Sequence, residues 1–237
     1  MELIFLGRGA GFNPDEGSTS AYFTDNGEFF LIDCGESVFK SLLDKKLLDS
    51  VSALNIFITH THSDHVGSLG SLMLYAFAVK KIPVNIIIDK NVSYLPGIVS
   101  LLTIYGLTDN MYRFVKTSQY NGKYSKFSKV QFIKTKHTDE VESCGIIFQT
   151  PKGLVFYSGD ICDPAPIIKL IKNNEEKIHR IYVDTSSNRT NTHHTSVHLV
   201  NDIVPKKLKS RVYCMHINNQ QCITDAQAYG LNVVTNC

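Results

Sequence analysis

No run of apolar residues in this chain approaches the ~18 that a membrane-spanning helix requires, so neither such a helix nor a membrane partner is expected. The opening apolar run, residues 3–6, is too short for the core of a secretory signal, and no basic residue precedes it. The cysteines (Cys34, Cys144, Cys162, Cys214, Cys222, Cys237) form no C-x-x-C pair and no tight framework. Scattered thiols without an export signal point to a reducing, cytoplasmic setting rather than a disulfide scaffold. An excess of one charge is missing too. The 24 basic and 22 acidic residues leave a net charge of +2, so the global balance does not announce a nucleic-acid binder. Basic residues crowd residues 123–136 and 206–211, which read as solvated faces before phosphate-attracting rims. No linker, repeat or compositional shift divides the chain, so one domain spanning 1–237 is expected.

What is present is a succession of short β-type runs rich in Val, Ile and Phe, bounded by Gly, Pro, Asn or Asp. They fall at 2–6, 19–24, 29–33, 55–59, 84–88, 130–134, 145–149, 154–158, 178–184 and 211–216. Apolar spacing of three and four predicts helices at 37–48, 66–80 and 166–173, and at 196–204, stopped by Pro205. Strands in two groups with helices outside predict two sheets packed face to face and covered by helices. Between 91 and 121 lie Tyr94, Leu95, Leu101, Leu102, Tyr105 and Tyr112. A helix packed on the core is the first reading of that segment, and a lid over a site is the second.

The densest chemistry is Thr59-His60-Thr61-His62-Ser63-Asp64-His65-Val66-Gly67, at the exit of a buried strand. Imidazole and carboxylate are the donors that zinc, manganese or iron accept. His60 and His62 share a face because their spacing is two. Asp64 and His65 fall where the chain turns into a helix, so they can aim at a second ion. Three His and one Asp within six residues are neither an ordinary core nor a solvated face.

His60-x-His62-x-Asp64-His65 resembles the motif of the metallo-β-lactamase superfamily. Matching positions follow at His137 in Lys134-Thr-Lys-His137, at Asp160 in Ser158-Gly-Asp160, and at His216 in Cys214-Met-His216. The resemblance implies an α+β four-layer αββα sandwich, two mixed β-sheets flanked by helices. It also implies two divalent metal ions, zinc first, with manganese or iron as alternatives. His60, His62 and His137 would hold one, Asp64, His65 and His216 the other, and Asp160 would bridge both. The opening Met1-Glu-Leu-Ile-Phe-Leu-Gly-Arg-Gly-Ala, together with Leu31-Ile-Asp33-Cys-Gly35, is similar to the ribonuclease Z and cyclic-phosphodiesterase branch, where Asp33 would support the metal ligands from behind. Asp184-Thr-Ser and His194-Thr195-Ser196 resemble further segments of that branch. They imply His194, with His193 as its competitor, as the group that assists the leaving oxygen. Asp64 and His194 are accordingly the catalytic candidates. His198 reads as surface and His179 as structural.

A His at position 62 argues against the redox members of the superfamily, and Asp160 against the β-lactamases, which carry Cys there. Ribonuclease Z inserts a long arm between the third His and the bridging Asp. Here 160 − 137 = 23 residues separate them, which leaves no room for it. The resemblance therefore implies a metal-dependent hydrolase, a phosphodiesterase on a small or cyclic phosphodiester or nucleotide, with a hydroxide held by the dinuclear site. A ribonuclease Z-like RNA 3′-processing endonuclease and a thioester or lactone hydrolase are the alternatives. A homodimer is expected on the same resemblance.

Overall fold

The computed structural model describes residues 1–89 and 92–237. The first sheet runs in chain order: β1 (Ile4–Gly7), β2 (Ser20–Asp25), β3 (Glu28–Ile32), β4 (Leu54–Phe57), β5 (Val84–Ile88) and β6 (Arg113–Lys116). The second is ordered β12-β11-β10-β9-β8-β7. Its strands are β7 (Lys129–Thr135), β8 (Ser143–Thr150), β9 (Gly153–Tyr157), β10 (Ile178–Asp184), β11 (Val212–Met215) and β12 (Asn232–Val233). Each sheet is mixed. β1 to β3 and β7 to β9 pair antiparallel, whereas β3 to β6 and β9 to β12 pair parallel.

Three apolar layers follow from these pairings. Between the sheets lie Phe23, Phe30, Phe57, Phe127, Phe148 and Tyr157, all buried. Phe23 stacks on Phe30 at 4.8 Å and meets Phe127 edge-on at 5.8 Å. Each such ring contributes roughly 1.5–3 kcal/mol by leaving water. The outer face of the first sheet is covered by α1 (Val38–Asp44), α2 (Ser63–Val66), α3 (Leu69–Tyr75) and α4 (Leu95–Ile104). Val38, Leu42, Leu69, Leu72, Ile98 and Leu102 supply the buried helix side. The second sheet is covered by α5 (Ala165–Asn174), α6 (Val197–Ile203) and α7 (Gln220–Ala228), through residues such as Ile167, Val200 and Cys222. The result is the αββα sandwich of two mixed sheets flanked by helices.

Several boundaries differ from the sequence expectation, and the differences matter. β4 ends at Phe57 and β11 at Met215, so Thr59, His60 and His216 stand beyond the ladders rather than in them. His216 has φ 57° and Asp33 φ 61°, a left-handed backbone that a ladder cannot continue. The stretch 66–80 is broken into α2, α3 and a wider turn at Ala76–Lys80, closed by Lys81 at φ 55°. Over 92–121 the structure favours the core reading. Ile98, Leu102 and Tyr112 are buried, and the Tyr94 hydroxyl donates to the Ile58 carbonyl. Asn91, at the head of that segment, lies outside the described residues. β6, β12 and α7 were not legible in the pattern. Among the described residues no helix is long and apolar enough to cross a membrane.

Candidate metal centre

The segments after β4, β7, β9 and β11, with the last residue of β10, all emerge at the C-terminal ends of their strands. There the two sheets share one rim, and there the His and Asp side chains meet. His60, His62 and His137 form one group with potential ligand atoms within 4.8 Å of one another. Asp64, His65, Asp160 and His216 form a second, and Asp160, Asp184, His194 and His216 a third. Every residue the sequence nominated as a ligand therefore lies in one of the first two groups.

In the first group Nε2 of His60 lies 3.1 Å from Nδ1 of His62, and Nε2 of His137 lies 3.2 Å from that same Nδ1. Three imidazole nitrogens converging at this spacing suit one tetrahedral ion, whose ligands at ~2.0–2.1 Å stand about 3.3 Å apart. The other nitrogens of His60 and His137 are already engaged. Thr59 donates its hydroxyl to Asp33 and so is left to accept from Nδ1 of His60, 3.1 Å away. Nδ1 of His137 donates to the His193 carbonyl at 2.7 Å. Such outer contacts fix the ring tautomer and leave the inner lone pair free for a cation. Burial pushes His60 well below the usual histidine range and lowers His137, so both rings favour the neutral, ligating form.

The second group repeats the device. Nδ1 of His65 donates to Oδ2 of Asp33 at 2.8 Å, while Nε2 of His65 is buried with no hydrogen-bond partner. That orphaned nitrogen lies 3.3 Å from Oδ2 of Asp64 and 3.3 Å from Oδ1 of Asp160. Nε2 of His216 stands 3.2 Å from Oδ2 of Asp64 and 3.4 Å from Oδ2 of Asp160. Asp160 also approaches His60 and His137, at 3.9 and 3.6 Å, so its carboxylate lies between the two groups.

Charge makes the same case. Asp33, Asp160 and Asp184 are buried and Asp64 is half-buried, which collects four carboxylates in one place. Burial would hold His216 below its ordinary value. The Asp160, Asp184 and Asp64 carboxylates override it and push the ring up to about 10. Burial likewise opposes ionisation of Asp160, and His216 with His65 reverses that, holding it well below the carboxylate range. Protons on these rings offset charge that two divalent cations, with four positive charges between them, would offset in full. Donor types, spacing, the orphaned Nε2 and the charge all fit a pair of divalent metal ions.

The backbone around the site is tightly determined. Cys34 N–H donates to the His65 carbonyl at 2.7 Å, and a side chain on Gly35 would place its Cβ 1.9 Å from the Asp64 carbonyl oxygen. Only glycine lets β3's exit pass so close to the ligand segment.

His194 belongs to the third group. Its Nδ1 donates to Oδ2 of Asp184 at 2.8 Å and lies 3.8 Å from Asp160. Its ring sits 4.9 Å from that of His137 and 4.8 Å from that of His216. Burial would lower His194, but Asp184 and Asp160 raise it. His193 has a different place. Its side chain is exposed, and its carbonyl steadies His137. The loop is held by Asn191, which accepts from the N–H groups of His193 and His194, and by Thr195, whose N–H and hydroxyl both donate to the Ile161 carbonyl. His198 bonds the Tyr229 hydroxyl at 2.7 Å in the α6–α7 layer, and His179 is half-buried near the start of β10. The sequence alone gives Asp184 no role. It reaches His194 with one oxygen and Nδ1 of His216 with the other, at 3.3 Å. Its position at the end of a strand was the available signal.

The family model of the Anti-Pycsar protein Apyc1 matches residues 1–235. The ribonuclease Z of Borrelia hermsii is 32% identical over 137 residues, which cover 55% of this chain and 42% of that protein. The Anti-Pycsar protein Apyc1 of Bacillus phage BSP38 is 42% identical over 76 residues, 31% of this chain and 29% of the phage protein. The aligned part is thus less than half the length of either curated relative. Among solved structures, the metallo-β-lactamase fold protein YhfI from Bacillus subtilis superposes with a TM-score of 0.73 at 15% identity, covering 99% of this chain and 95% of that one. Human tRNase Z, short form, gives 0.67 at 18% identity over 100% and 97%. At these identities the likeness is one of fold, and the fold is that of the metallo-β-lactamases.

Proposed function

Because the chain belongs to the family of the Anti-Pycsar protein Apyc1, we propose that it is a metal-dependent phosphodiesterase acting on a small cyclic phosphodiester, a cyclic nucleotide above all. The observation that supports this most is the union of two ligand groups around Asp160 with a carboxylate-steered His194 beside them.

His60, His62 and His137 would hold one ion and Asp64, His65 and His216 the other, with Asp160 between them and zinc as the metal. Bound there, the ions would supply charge for a phosphoryl oxygen and lower the pKa of a water. The chain's own residues do the rest. Asp33, Thr59 and the His193 carbonyl fix His65, His60 and His137 so that each of these rings presents one chosen nitrogen. Asp184 holds Nδ1 of His194, so the proton that this imidazolium gives to a departing alkoxide leaves from Nε2. Asp184 also orients His216, which couples the leaving-group side to the second ligand group.

The segment between His137 and Asp160 favours a small substrate. It is consumed by β8, a tight turn and β9, and carries no arm. A cytoplasmic site of action and a homodimer belong to the same proposal.

Incubating the zinc- or manganese-loaded protein with 3′,5′-cyclic nucleotides, a linear RNA and a thioester tests the reading. Cleavage of the cyclic nucleotides that disappears in Asp160→Ala supports it. Cleavage of the thioester alone, or of RNA alone, would sink it.

A further inference from the structure

Among the described residues Phe12 is the most exposed large apolar side chain, at 105% of its extended-chain reference. Single exposed apolar side chains are ordinary on protein surfaces. The turn that carries Phe12 is what sets it apart. Asn13 N–H donates to the Ala10 carbonyl at 2.8 Å, so Gly11 and Phe12 occupy the two central positions. Both shoulders are tied to the residue after a proposed metal ligand. Ala10 N–H and Nδ2 of Asn13 donate to the Ile217 carbonyl, at 3.1 and 2.8 Å. Behind the turn, Gly9 N–H donates to the Gly17 carbonyl at 2.7 Å. The tip itself rests on Asp64. A Cβ built on Gly11 would lie 3.0 Å from Oδ2 of that residue.

A bare aromatic ring is thus held one residue from contact with Asp64, on a turn with little freedom to move. We propose that Phe12 is the platform on which the base of a cyclic nucleotide stacks while its phosphate is held at the ligand groups. The inference rests on the phosphodiesterase reading above. A nucleotide places its base one sugar away from its phosphate, and Phe12 follows directly on Gly11, the residue that rests on Asp64. Phenyl has no hydrogen-bonding atom, so it takes the π-face of a base without reading its edges. Purine and pyrimidine cyclic nucleotides should both be accepted. Because the turn is already pinned, little ordering opposes the contact.

The chain contains no tryptophan, so Phe12→Trp introduces a single indole. Made alongside His194→Ala to slow turnover, this variant should show saturable quenching with cyclic AMP and cyclic UMP. Base-free ribose cyclic phosphate should leave the emission unchanged. Phe12→Ala should raise KM for both nucleotides by about ten-fold with kcat little changed, and leave the base-free ester unaffected. Phe12→Tyr should behave as the parent. Absence of quenching, or equal losses on base-bearing and base-free esters, overturns the platform. So does conversion of a dimer to a monomer by Phe12→Ala in sedimentation, which would mark the ring as a contact between copies. Quenching by nucleotides in a protein that cleaves no phosphodiester would keep the platform and remove the hydrolytic reading. Cleavage without quenching would do the reverse.

Discussion

Oδ2 of Asp33 receives Nδ1–H of His65 at 2.8 Å and the hydroxyl of Thr59 at 2.7 Å, so one buried carboxylate serves both ligand groups. Through His65 it aims an imidazole of the second group, and through Thr59 it steadies His60 of the first. Asp33→Asn should therefore weaken metal binding about 10–100-fold without abolishing the fold. Competition against a chelator measures the loss, and excess metal should restore activity. Unchanged metal affinity would refute the role given to Asp33.

His194 and Asp184 should matter in proportion to the basicity of the leaving oxygen. On a cyclic nucleotide, whose leaving group is an alkoxide, His194→Ala should lower kcat about 10²–10⁴-fold. On bis(p-nitrophenyl) phosphate, whose phenolate departs without a proton, the same variant should lose far less. Asp184→Asn should follow the pattern more mildly, with some loss of metal through His216. Equal losses on both esters would take His194 out of the acid role.

Removing metal should loosen the fold itself. With four carboxylates gathered at the rim, chelation leaves repulsion that only protonated rings oppose. An ion present at a thousand times its Kd adds about 4 kcal/mol. For a chain of this size that corresponds to roughly 8–16 °C in Tm. Calorimetry before and after chelation, with zinc or manganese added back, gives the number, and a Tm indifferent to chelation would count against the paired site.

Gly35→Ala should be costly although the residue added is small. The new Cβ would stand 1.9 Å from the Asp64 carbonyl oxygen, so the ligand segment must move. Overpacking of this kind costs about 1–3 kcal/mol, and bound metal should fall in parallel. Metal analysis and thermal unfolding of the variant check both.

Thiol chemistry offers an independent check on the layers. Cys34, Cys144, Cys214 and Cys222 are buried, and burial pushes Cys34 up to about 12 and Cys222 to about 11. At pH 8 a disulfide reagent should label Cys237 quickly, Cys162 slowly and the other four only after denaturation. Fast labelling of Cys34 in native protein would mean that the layer over the first sheet is open.

What the sequence made legible was chemistry packed into a short span. His60, His62, Asp64 and His65 lie within six residues, so their convergence could be read from a strand exit. Ile178–Asp184 and Val84–Ile88 were legible as strands because β-branched runs buried on both faces leave little choice. β6 was not, since Arg113-Phe-Val-Lys116 is four residues with charged ends and depends on its partner β5. β12 is two residues long, and α7 buries only Cys222, Ile223 and Ala226 among mostly polar residues. Asp184 lies 24 residues beyond Asp160 (184 − 160 = 24), and only the parallel pairing of β9 with β10 makes them neighbours. Phe12 carried no periodic signal, because its meaning comes from a turn and not from an element.

Both ligand groups draw on both sheets: His60 and His62 meet His137, and Asp64 and His65 meet Asp160 and His216. If the proposed ions bind there, the rim would also act as a clasp that the metal supply fastens. A copy made under metal starvation would have that edge unfastened and be open to proteases there, so abundance should track metal supply with no dedicated sensor. Half-lives compared in starved and replete cells, with Asp160→Ala as the permanently unfastened control, are where this consequence would be seen.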